Sequence, residues 1–72
     1  MDRVLLMQHL VEAERHVTEG EYHVRRQRDL VEKLSKHGHD TRQAEVLLAE
    51  FEQTLTSHKF DRDRMRAELL KL

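Results

Sequence analysis

Leu34-Ser35-Lys36-His37-Gly38-His39-Asp40-Thr41-Arg42-Gln43 is the stretch on which the fold turns. Gly38 suits the left-handed conformation that ends a helix, because it has no Cβ to clash with the preceding carbonyl. Lys33, Lys36 and His37 sit where they complement the negative end of that helix. Asp40 or Thr41 can cap a second helix, Asp40 with Gln43 has the capping-box spacing, and Glu45 suits the positive end. A helix stop is thus followed within a few residues by a helix start. So short a connection makes the two helices antiparallel neighbours.

Working outward from the turn, both halves carry the same periodicity. Before it, Leu6, Leu10, Ala13, Val17, Gly20, Val24, Gln27, Val31 and Leu34 are spaced alternately by 4 and 3. After it, Ala44, Leu48, Phe51, Leu55, His58, Arg62, Met65, Leu69 and Leu72 repeat the pattern. Such spacing is a coiled-coil seam. With no proline anywhere, nothing interrupts either helix. The expected fold is all-α: an antiparallel two-helix hairpin, coiled-coil-like, with helix 1 over about 2–37, a turn at 38–40 and helix 2 over about 41–71. The whole of 1–72 is read as one unit. Each helix would be about 45–50 Å long at ~1.5 Å per residue. Folding about the turn sets residue i level with about residue 77−i. Glu21–Arg25, Asp29–Lys33 and Glu32–Lys36 are spaced as surface ion pairs.

The seam is not uniformly apolar. Gly20, Gln27, His58 and Arg62 interrupt it around the middle. The two ends are therefore expected to carry most of the packing, with a softer, polar centre. Arg62 is expected near Glu12, Glu14 or His16.

Composition narrows the function. Charged residues make up 38% of the 72, but 13 basic against 14 acidic leaves a net charge of only −1. No large field attracts nucleic acid or anionic lipid. The clusters Arg25-Arg26-Gln27-Arg28 and Arg62, Arg64, Arg66 are interleaved with Glu21, Asp29, Asp61 and Asp63, as on a solvated face. Neither nucleic acid nor membrane is expected as a partner. The apolar run Val4-Leu5-Leu6-Met7 is too short for a signal core, and a cytoplasmic protein is expected. No cofactor is implied; Ser35, Ser57, Thr18, Thr54 and Thr56 carry no local activating signature and a hairpin of this size offers no concave pocket, so an enzyme is not expected.

A chain this short, with no cysteine for a disulfide, needs another source of stability. Val4, Met7 and Val11 form a second stripe on helix 1, and Val46, Leu47, Phe60 and Leu70 lie off the seam of helix 2. Val4, Met7, Val11, Phe60 and Leu70 gather at the open end of the hairpin and are the expected interface. The expected partner is a second copy, in a homodimeric four-helix bundle, with another helical protein as a further partner. A small structural or adaptor protein acting through helix–helix contacts is the leading functional expectation.

Histidine offers an alternative. His9, His16 and His23 recur every seven residues, and His58 lies in the opposite seam. His16, His23 and His58 are expected to converge near Gly20, where the missing side chain leaves room. They can be register-fixing polar side chains, a pH sensor that loosens as the rings charge near pH ~6, or candidate metal ligands. No His-Glu-x-x-His or Glu-x-x-His spacing supports the metal reading.

Finally, several segments resemble small uncharacterised helical proteins of rhizobia and related α-proteobacteria. They are Ala13-Glu14-Arg15-His16-Val17, Glu19-Gly20-Glu21, Arg26-Gln27-Arg28, Gly38-His39-Asp40-Thr41, Leu47-Leu48-Ala49-Glu50-Phe51-Glu52 and Asp61-Arg62-Asp63-Arg64. The resemblance implies a bacterial helical hairpin and assigns no catalytic residue.

Overall fold

The computed structural model describes residues 2–72; residue 1 of the expected single unit lies outside them. Two helices account for the fold: α1, Arg3–Lys36, and α2, Arg42–Leu70. Asp2 opens α1, its carboxylate accepting from the Val4 amide at 3.1 Å. At the other end His39 N donates to Leu34 O at 2.9 Å and Gly38 N to Ser35 O at 3.1 Å, with Gly38 at φ +72°. Those two bonds are a complete Schellman stop, and they satisfy carbonyls that the helix end would otherwise leave without partners.

The start of α2 differs from the capping-box expectation. Asp40 carries the cap: its carboxylate accepts from the Arg42 amide at 3.0 Å and grips the Arg42 guanidinium at 2.6 Å. That arginine holds the Asp40 carboxyl below its ordinary range. Thr41 makes no capping hydrogen bond, and among the described residues no bond returns from Gln43. The N-cap position falls on Thr41, so Asp40 stands one residue too early to form a capping box with Gln43.

The helices pack as an antiparallel hairpin with Cα extents of 54 × 13 × 13 Å. Every expected seam position of α1 is buried or half-buried. In α2 the seam from Ala44 to Leu69 is half-buried, while Leu72 falls beyond the helix end and is exposed. The register lies within one turn of the folding rule: a Cβ placed on Gly20 would meet Leu55, and His16 meets His58.

The distribution of packing corrects the soft-centre expectation. The buried residues are Leu6, Ala13, Val17, Val24 and Gln27, whereas Val31 and Leu34 near the turn are only half-buried. Two of the four interruptions explain why. Gly20 lets α2 approach so closely that an added Cβ would stand 3.1 Å from Leu55 Cδ1. Gln27 is buried with its amide satisfied, Nε2 donating to Ala44 O at 2.9 Å across the helices. A buried amide that finds its partner costs little and locks one register.

Candidate functional site

The seam divides the hairpin surface into flanks of different chemistry. One follows the seam residues by a single position. There Glu14 pairs with Arg66 at 3.4 Å and Arg28 with Glu52 at 3.7 Å, each from helix to helix. All four side chains are well exposed, so each pair contributes only ~0–1 kcal/mol. They select the antiparallel register more than they stabilise it. Arg66, not Arg62, takes Glu14; Arg62 turns to Asp63 at 3.0 Å. Arg64 meets Asp61 at 3.8 Å, so the second arginine cluster faces carboxylates throughout. Of the three expected ion pairs along α1, Glu32–Lys36 forms at 3.3 Å. Elsewhere on α1, Arg15 bridges Glu12 and Glu19 and holds the Glu12 carboxyl below its ordinary range.

The opposite flank holds the histidines. His16 and His58 rings lie 4.9 Å apart, tilted by 41°. His23 instead stacks on Phe51 at 5.7 Å. One shallow groove brings His16, Gly20, His23 and His58 together, as the periodicity suggested, and a second continues it to His9, Glu12 and Asp61. The three rings thus share a groove without facing a common point, because Phe51 takes the face of His23. Among the described residues no group of three or more His, Asp or Glu side chains is placed to hold a metal ion.

A third surface is apolar. Val4, Met7 and Val11 are exposed on α1, as are Phe60 and Leu70 on α2, with Phe60 at 69% and Leu70 at 89%. They do not form one patch. Phe60 faces directly away from the seam, while Val4, Met7 and Val11 lie toward the ion-paired flank of the other helix. No residue of α2 is buried. Val46, Phe60 and Leu70 stand out in the sequence, with Leu47, as apolar residues off the seam of helix 2. The signal that joins them is a second alternation of 3 and 4, through Ala49, Gln53, Thr56, Asp63 and Ala67.

Compared with known proteins, the chain matches no family model, no curated protein and no solved structure. No helix among the described residues is long and apolar enough to cross a membrane. The geometry defines a helical hairpin whose second helix is covered on one side only.

Proposed function

We propose that this chain is a small, non-catalytic structural or adaptor module that works by helix–helix association, in the first instance with a second copy of itself. One observation carries the reading. The hairpin exposes 5691 Å², against about 4700 Å² expected for a compact chain of its 8.7 kDa mass. The difference is close to the ~800 Å² that each partner buries in a standard interface. Phe60 and Leu70 supply part of it on α2, and Val4, Met7 and Val11 supply part of it on a separate face of α1. Another helical protein could occupy the same surface. The bacterial origin implied by the resemblance and the cytoplasmic setting expected from the sequence belong to the same reading.

A second reading is favoured by the His16–His58 pair alone: a pH-responsive module. Charging both rings would place like charges 4.9 Å apart in the groove. Glu12, Glu19 and Asp61, which line the same grooves, oppose that repulsion. Sedimentation equilibrium at pH 8 tests the first reading: it expects a folded dimer at micromolar concentration, and a folded monomer there defeats it. Thermal melts at pH 5 and pH 8 test the second: the repulsion lies between the two helices of one chain, so it expects a lower melting temperature at pH 5, and equal melting temperatures defeat it.

A further inference from the structure

The outer face of α2 is a second seam. Val46, Ala49, Thr56, Phe60, Ala67 and Leu70 recur at alternating spacings of 3 and 4, with Gln53 and Asp63 at the two remaining positions. The stripe runs the length of α2 on the side away from α1, and all eight residues are exposed. Seven of the eight carry no charge, on a chain in which 38% of residues do. The matching outer stripe of α1 carries charge at five of its ten positions, Arg15, Arg25, Asp29, Glu32 and Lys36, beside Val4, Gln8, Val11, Thr18 and Tyr22.

The flanks of the stripe specify what covers it. On one side Glu45 and Glu52 give way along the helix to Lys59 and Arg66; on the other Glu50 gives way to Arg64 and Lys71. Both flanks change sign at the same level, near residue 58. A helix whose flanks are acidic in one half and basic in the other complements itself when reversed.

We infer that the outer face of α2 docks antiparallel against the same face of a second copy, about a two-fold axis beside residue 58, giving a dimer with the two α2 helices at its centre. This rests on the self-association reading and adds the surface and the orientation. The register follows from the spacing. Val46 meets Leu70 of the second copy, Ala49 meets Ala67, and Thr56 meets Phe60. In the remaining layer the Gln53 amide can donate to the Asp63 carboxylate, so the one charge in the stripe is answered. The small Ala49–Ala67 layer brings the backbones close, and the Phe60 rings fill the space on either side of the axis. On the flanks Glu50 falls beside Arg64 and Lys71 of the second copy, and Glu52 beside Lys59 and Arg66. Lys59 lies near the axis, where its flexible stem lets the ammonium reach water. A parallel pairing would instead set Lys59 against Arg64, Arg66 against Lys71 and Glu45 against Glu50, all like charges. Val4, Met7 and Val11 stand apart from this interface, since α1 is on the far side of α2.

Charge exchange tests the inference without touching the packing of α1 on α2, because Glu50 and Arg64 are exposed on the side of α2 away from α1 and Arg64 gives up only its exposed pair with Asp61. They are 14 residues apart, about 21 Å along one helix, too far to compensate each other within a chain. Glu50→Lys and Arg64→Glu should each raise the dimer dissociation constant about tenfold, since the two-fold repeats the damage. Together they should restore it to within about threefold of the original. Orientation is read with introduced cysteines, the chain having none of its own. Ala49→Cys mixed with Ala67→Cys should join through a short thiol crosslinker, and neither should join to itself. Crosslinking of Ala49→Cys to itself, or a dissociation constant indifferent to the charge reversals, overturns the inference while a dimer persists. A wild-type chain that stays monomeric overturns it together with the self-association reading.

Discussion

Gly38 and Gln27 are the two residues whose chemistry is least replaceable in the hairpin. Gly38 sits at φ +72°, and a Cβ added there would meet nothing within 4 Å. Any cost of substitution is therefore a backbone cost, free of packing. Gly38→Ala should lower the stability of the fold by ~1–2 kcal/mol, the penalty of a left-handed residue with a Cβ. Gly38→Asn should cost less, since asparagine tolerates that conformation better. Urea unfolding at one fixed protein concentration measures both, and an alanine variant as stable as the parent would mean that the turn does not need the Schellman stop. Gln27 works differently. Its value lies in a single acceptor, Ala44 O, at the first turn of the opposite helix, and that bond ties the turn end of the hairpin to one register.

At the scale of the helix, Gly20 sets two effects against each other. Glycine inside a helix costs ~1 kcal/mol relative to alanine. An alanine Cβ would stand 3.1 Å from Leu55 Cδ1, which is tight, but that atom is the far end of a flexible side chain and the Leu55 Cα is at an ordinary 3.7 Å. The alanine methyl is fixed by the backbone, so the Leu55 side chain has only to give by a few tenths of an ångström. Propensity should win: Gly20→Ala should stabilise the hairpin by up to ~1 kcal/mol, while Gly20→Val, branched at Cβ, should destabilise it. Thermal melts at equal concentration decide, and a lower melting temperature for the alanine variant would show that Leu55 cannot yield. The same residue marks the limit of sequence reading here. The 4–3 spacing told which face of each helix is covered, because that depends only on the pitch of a helix. The turn told the register to within one turn, because chain connectivity sets it. That the centre packs more tightly than the turn end was not legible: it depends on how closely two backbones approach at Gly20 and on whether the Gln27 amide finds a carbonyl. The histidine groove was legible as a groove, from the seven-residue recurrence. The stacking of His23 on Phe51, which takes His23 from the other two rings, was not. The outer stripe of α2 was obscured by its small and neutral polar members, Ala49, Gln53, Thr56 and Ala67, which draw attention only once the whole side is seen to be uncovered.

The whole molecule is a rod. Its radius of gyration is 16.4 Å, against about 11 Å for a compact domain of this length. A rod one helix pair thick has no interior beyond its seam, and only five of its described residues are buried. Backbone ordering costs ~1–2 kcal/mol per residue, so a fold with so little interior would gain a large share of its stability from a cover on its outer faces. If that cover is a second copy, stability depends on concentration by mass action. Raising the protein concentration a hundredfold, from about 5 to about 500 μM, favours a two-chain folded state by RT ln 100, ~2.7 kcal/mol, divided between two chains. For a chain of 72 residues this should move the melting temperature upward by about 5–10 °C. Phe60→Glu supplies the control. Phe60 is 69% exposed in the single hairpin, so the change should leave the melt of an isolated chain almost untouched. In the antiparallel dimer it would bury a carboxylate on each side of the axis, which costs far more than the lost phenyl contact. The parent melt should therefore climb with concentration and the Phe60→Glu melt should stay flat, the two meeting at the dilute limit. Parallel curves at every concentration would show that Phe60 lies outside the contact, and two flat curves would show that this rod is stable alone.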